Sequence, residues 1–308
     1  MIRAAVLLLL ALPGPAAAQS SDFCAAVWQR LTDSAALVFP LQGQLQPDEG
    51  GDCVISDVVL ETPGDFVPDW HAATLRLRGG ALGWLVDGKA APDRLEVEVL
   101  GLHLVVRTGQ AQTDYLLTAQ ARANTIKARA ALSWDATAKA LMLDALEVDF
   151  PGPNRLELTA RIAGVDLSTT GAAQMSLTSF AVKEADLLVQ SHGLFEWYVL
   201  NAFGPSLLPY EGDMLAAEAA LKADASSGIA ALPETVVPAT SKAALQALVA
   251  ELPNPSGILT LSLRASDGLG PARFMGYAMT GVPVTLTAAA PLFDGVTVDI
   301  GWIPEDAP

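Results

Sequence analysis

The residues of this chain that could do chemistry are three histidines, two cysteines and a surplus of carboxylates. His71, His103 and His192 lie too far apart for an HxH or HExxH zinc pair, which needs ligands on one strand face or one helical turn. His103 stands in an apolar stretch and reads as a strand histidine. His192 precedes Gly193 and reads as a hydrogen-bonding turn residue. His71 follows Pro68 and Trp70 and reads as a loop residue. The nucleophile elbow GxSxG is missing, as are the SxxK acyl-transfer motif and both phosphate-cradling glycine loops. Gly268-Leu269-Gly270-Pro271-Ala272-Arg273 carries an arginine where a dinucleotide loop needs its third glycine, so Asp267-Gly268 reads as a turn.

A glycosidase needs only two carboxylates in a cleft, about 5–10 Å apart. Here Glu96, Glu98, Glu147, Asp149 and Glu157 alternate with apolar residues and read as a solvated sheet face. Asp144, Asp166 and Asp186 show no calcium-loop spacing. The reading is therefore of a non-enzyme, with no catalytic residue, no metal ligands and no cofactor assigned. A hydrolase with acidic catalytic residues is the minor alternative.

Cys24 and Cys53 are the only cysteines, and their spacing lacks CxxC character. In an exported chain such a pair reads as a disulfide. Export is what the N-terminus suggests. Arg3 is followed by the apolar run Ala4–Leu12 and then by Ala16-Ala17-Ala18. That pattern predicts a signal peptide over residues 1–18, cleaved before Gln19, and a periplasmic address. The apolar run is shorter than the ~20 residues a membrane-spanning helix needs.

Lys and Arg number 18 against 34 Asp and Glu, a formal net charge of −16. Such a chain repels nucleic acid and anionic lipid surfaces. Its 51% hydrophobic content leaves ample material for a core.

Stepping along the mature chain, Ser21 to about Val38 predicts an amphipathic helix with Phe23, Val27, Trp28 and Leu31 on its apolar stripe. Residues 42–52 read as a polar turn region. From Cys53 to about Leu167 the period is two, as in Leu75/Leu77 against Arg76/Arg78 and Leu95/Val97/Val99 against Glu96/Glu98. Leu156, Leu158, Ala160 and Ile162 continue it. Gly101 falls where the alternation slips and predicts a bulge. Residues 175–182, and then 186–190, read as further strand.

A helical insert is expected at about 193–252. It comprises an apolar helix over 194–203, a second helix capped by Asp213 and ending near Leu221, and a third over 242–252. A loose stretch separates the last two at 226–238. Strands return with Leu259, Leu261 and Leu263, and again from Val296 to Trp302. Residues 19–308 thus read as a single mainly β (α+β) domain, a long antiparallel, curved sheet with a few short helices packed on it.

This strand texture, with the phrase Leu156–Leu167 and the return at Leu259–Leu263, resembles AsmA-like cell-envelope proteins. The resemblance implies a long curved sheet with an apolar concave face and a role in lipid transport or envelope homeostasis. The cleaved leader read here departs from that family's membrane anchor, and the chain is shorter than most members. Carried over, the resemblance implies an apolar trough of Leu95, Val97, Val99, Leu156, Leu158, Ile162, Leu259, Leu261 and Leu263. The expected role is binding of a lipid or other apolar small molecule. The alternative is an envelope interaction or assembly protein with a filled core and a protein partner.

Overall fold

The computed structural model describes residues 21–35, 39–48, 50–63, 67–88, 92–200, 204, 206–280 and 290–305. The expected signal peptide and its cleavage point lie outside them. All ten strands form one antiparallel sheet in sequence order, each hydrogen-bonded to the next. They are β1 Leu41–Gln46, β2 Cys53–Leu60, β3 Asp69–Arg78, β4 Arg94–Val105, β5 Ile126–Asp135, β6 Ala140–Asp149, β7 Arg155–Ala163, β8 Ala181–His192, β9 Ser256–Leu269 and β10 Val296–Pro304. Helix α1 (Ser21–Ala35) precedes the sheet. Helices α2 (Ala81–Asp87), α3 (Ala111–Ala123), α4 (Thr170–Ser179), α5 (Met214–Ala231), α6 (Ala239–Glu251) and α7 (Pro271–Thr280) fill the connections. A π-helical turn, Phe195–Leu200, follows β8. Among the described residues strand and helix shares are close, 39% and 36%.

Because neighbouring strands run antiparallel, α2, α4 and α7 gather at one rim of the sheet. Helix α3 and the insert that leads from β8 through α5 and α6 to β9 gather at the other.

Period-two patterning gives the sheet two unlike faces. On one, cross-strand partners form unbroken aliphatic rows. One row runs Leu45, Ile55, Leu75, Val99, Ala128, Val148, Leu156, Val189, Leu259 and Trp302, a residue from every strand. The next runs Cys53, Leu77, Val97, Ala130, Leu146, Leu158, Leu187, Leu261 and Ile300. At strand spacings near 4.8 Å the rows extend roughly 40 Å.

The opposite face carries charge ladders. Arg76 faces Glu98, Glu98 faces Arg129, and Arg129 faces Glu147. Ion pairs link Arg94 to Glu96 at 2.7 Å, Arg155 to Glu157 at 2.8 Å and Arg264 to Asp186 at 2.9 Å. The carboxylates expected to point outward are on this solvated face.

Register shifts interrupt six of the nine strand pairs. Each such bulge bends its strand and adds right-handed twist, which curves the sheet. The shift between Val99 and Leu102 includes Gly101, at φ 68°, as the slipped alternation predicts. A side chain there would press a Cβ to 2.8 Å from that of Ala73.

Both sheet edges are blunted. Helix α1 packs on β1 and its neighbours, and Cys24 joins Cys53 in a disulfide with Cα atoms 5.2 Å apart. At the other edge, two N–H groups of β10 that no further strand takes up are satisfied otherwise. Val298 N donates to Val236 O at 2.7 Å, and Ile300 N donates to Ser241 Oγ at 2.9 Å. Covering an edge this way stops it from recruiting another strand.

Several local expectations are corrected. Residues 175–179 belong to helix α4 rather than to a strand, and strand begins only at Ala181; the Thr169 side chain accepts from Ala172 N and starts the helix. The stretch over 226–231 is the last part of α5, not a loose linker. Residues 41–46 form β1 rather than a turn. Asp213 does cap α5, accepting from Leu215 N and Ala216 N, but the helix runs ten residues past Leu221. His71 is on β3, not in a loop.

Candidate functional site

All nine residues of the expected trough lie on the aliphatic face. Leu156 and Leu259 share the first row with Val99, and Leu158 and Leu261 share the second with Val97. Leu95 and Leu263 fall in a third row with Leu132, Leu143, Ala160, Ala185 and Val298. Ile162 pairs with Leu141 on one side and Val182 on the other. The sheet thus joins residues separated by more than 160 positions into one surface.

The two ends of that surface are covered and the middle is not. Under α1, Val27 and Ile55 are fully buried, with Cys24, Cys53, Leu77 and Leu82 around them. Leu95, Val97 and Val99 border this core and pack partly against it. At the β10 end, Ala265 and Val296 are buried, and the Trp302 indole donates to Glu251 Oε1 on α6 at 3.0 Å. Between them, Leu146, Val148, Leu156, Leu158, Leu187, Val189, Leu259 and Leu261 are only half-buried. Among the described residues these rows hold no buried side chain from β6 to β8.

The rims add aromatic and polar features. At the upper rim, that of α2, α4 and α7, a cavity of about 190 Å³ opens beside the floor, lined by Trp84, Leu95, Leu132, Trp134, Leu141 and Leu167 among others. The Trp134 indole donates to Val165 O at 2.8 Å. The Trp84 indole nitrogen is buried without a partner. At the lower rim, that of α3 and the insert, Phe150, next on the floor after Val148, packs against Tyr198 of the π-helical turn with ring centroids 4.9 Å apart and the rings tilted by 53°. Asn254 Nδ2 donates to Glu196 Oε1 at 2.7 Å and ties that turn to the chain after α6.

The insert also has an apolar cavity of its own, of about 380 Å³, between the turn, α5 and α6. Leu207, Leu208, Met214, Leu221 and Val249 line it. Leu207, Leu215 and Trp197 are largely exposed.

The histidines divide into a pair and a single. His71 and His103 face each other across β3 and β4 with ring centroids 5.7 Å apart. His103 Nδ1 contacts Gly101 O at 2.8 Å, while His71 Nε2 is buried without a partner. Burial pushes His71 below the ordinary histidine range; His103, Arg107 and Arg122 add to this and Asp69 opposes it. His192, by contrast, lies at the end of β8, 2.7 Å from Glu305 and 3.3 Å from Ser256 Oγ. Glu305 is held below the usual carboxylate range, first by the Ser256 hydroxyl.

Among the described residues no three His, Cys, Asp or Glu side chains gather as a metal site. Arg273, from the glycine-rich stretch, donates to Leu292 O and Asp294 O at 2.8 and 2.7 Å, a structural role.

The expected trough omits several floor residues. Leu187 and Val189 alternate with Asp186, Leu188 and Gln190, and that signal was available. Trp84 gave none, because its helix is only seven residues long. No helix among the described residues is long and apolar enough to cross a membrane. The disulfide is consistent with an exported protein. Compared with known proteins, the chain matches no family model and no curated relative.

Proposed function

We propose that this is a periplasmic, non-enzymatic carrier that binds the acyl chain of a lipid-like ligand on the open aliphatic floor of its sheet. One observation carries the reading: large aliphatic side chains on four adjacent strands, β6 to β9, share a face and are only partly buried. Ordinary monomers bury such a surface or use it. Each methylene that a ligand moves from water onto the floor is worth about 0.8 kcal/mol, so a chain of moderate length binds without any specific polar contact. The upper cavity beside Leu95 and Leu141 offers one end of that chain an apolar recess.

Native mass spectrometry of the protein from a periplasmic extract, with lipid analysis of an organic extract, tests this. The expected result is a bound species of lipid mass that Leu158→Asp abolishes. A clean unliganded mass with no uptake of added lipid would refute it.

A protein partner is the second reading, and one observation favours it. Helices α4 and α7 touch at the upper rim and expose Met175, Leu177, Phe274 and Met275. A partner of the cell envelope would cover those residues, leaving the floor to its ligand.

A further inference from the structure

A cavity of about 540 Å³ opens on the charged face near the upper rim, larger than the one beside the floor and the one in the insert. One row of cross-strand partners crosses it, Arg161, Glu184, Arg264 and Thr297, from β7 to β10. Arg161 alternates with Ala160 and Ile162, which belong to the aliphatic rows, so the cavity lies on the side of the sheet away from the floor. Lys183 is the extra residue where the β7–β8 register shifts, so it and Glu184 both stand opposite Arg161. Beyond Arg264, β9 bulges away from β8 over residues 265–268, and Ser266 O accepts from Lys183 Nζ at 2.7 Å. Alanines at 138, 140 and 163 carry nothing beyond Cβ, which leaves the space among these side chains open.

The charges that line the cavity do not cancel. Arg264 is held by Asp186 at 2.9 Å. Lys183 directs one of its three N–H donors to Ser266 O and keeps two. Arg161 is exposed, and its side chain makes no ion pair or hydrogen bond among the described residues. Glu184 is likewise without an ion pair among them. Arg161 and Lys183 thus face one free carboxylate, a local positive excess in a chain of net charge −16. We propose that this cavity binds a small organic oxyanion, a phosphate or a carboxylate, between Arg161 and Lys183. A guanidinium holds an oxyanion with two parallel N–H groups, an ammonium adds a mobile point charge, and such charge-assisted bonds are about twice as strong as neutral ones. The volume is many times the roughly 30 Å³ of one water, so it admits a carbon skeleton as well as the anionic group. The site stands apart from the acyl-carrier reading, because the two ligands lie on opposite faces of the sheet.

The test titrates glycerol 3-phosphate, succinate and inorganic phosphate into the protein and follows backbone amide shifts by NMR, at low and at physiological salt. At least one organic anion should bind with a dissociation constant below about 1 mM, shift the amides of Arg161, Lys183 and Ser266, and weaken as salt rises. Which organic anion is preferred separates a phosphate source from a carboxylate source. Arg161→Gln, at an exposed position without side-chain partners, should weaken binding about tenfold at an unchanged unfolding midpoint. Glu184→Gln removes the carboxylate that repels the ligand and should tighten binding severalfold.

Shifts from none of the three anions, shifts confined to other parts of the chain, or an affinity that Arg161→Gln leaves unchanged overturns the site. Inorganic phosphate binding as tightly as both organic anions overturns its assignment to an organic ligand.

Discussion

The same aliphatic face is treated in two ways within one sheet. Over β2 and β3, helix α1 lies on it, the disulfide pins that helix, and Ile55 is fully buried. Over β6 to β8 the rows continue with similar aliphatic side chains, yet none is buried among the described residues. The residue types are alike, so composition does not cause the difference. What differs is where the chain places its helices. The connections after β3, β4, β7, β8 and β9 carry helices to the rims and the β10 edge. The lesson is that one region is core and the other is a surface kept in the form of a core.

The comparison can be broken most strongly at the covered end. Removing the cross-link with Cys24→Ser and Cys53→Ser should lower unfolding free energy by about 3–4 kcal/mol, from a closed loop of about 30 residues. Denaturant unfolding under non-reducing conditions measures it. Ile55→Ala leaves a cavity under α1 and should cost about 3 kcal/mol by the same method.

Leu158→Ala removes a similar side chain from the open middle. It should cost less, about 1–2 kcal/mol, since part of that side chain already meets water. Near-equal losses for Ile55→Ala and Leu158→Ala would show that the middle is packed in solution and would end the distinction.

The smallest expected effect lies away from both regions. Lys139 Nζ is 2.8 Å from Asp166, and that contact, with the Ser168 hydroxyl, holds the Asp166 carboxyl at about 2. A depressed carboxylate adds stability above its ordinary value of 3.8, and the contribution is lost as pH falls toward 2. In an NMR titration, Lys139→Ala should raise the Asp166 midpoint toward 3.8 while the stability difference between Ile55→Ala and Leu158→Ala stays as it was.

How much of this was legible depends on the physics behind each element. The strands with charged residues between aliphatic ones, such as β4 and β7, could be read because period two is a local signal. Strand β1 could not: Gln42, Gly43 and Gln44 carry little apolar alternation, and its place comes from pairing with β2. Helix α4 reads as a strand because Met175 and Leu177 alternate with Ser176 and Thr178, while the cap at Thr169 decides the matter. The Ser226-Ser227-Gly228 stretch reads as a loop, yet it continues a capped helix and receives a hydrogen bond from Gln246.

The floor was legible residue by residue but not as a surface. That needed the strand order, which alternation alone does not contain. The His71–His103 pair was hidden for the same reason, since 32 positions separate two residues that a register sets side by side.

The central claim is that the open middle of the aliphatic face is where an acyl chain lies. A photoactivatable fatty acid, irradiated in complex with the protein and mapped by peptide mass spectrometry, tests it most directly. The account predicts labels on peptides from β6 to β9, within residues 140–163, 181–192 and 256–269, and their loss in Leu158→Asp. Labels confined to the insert cavity around Leu207 and Leu221, or spread over the exposed helices, would contradict it.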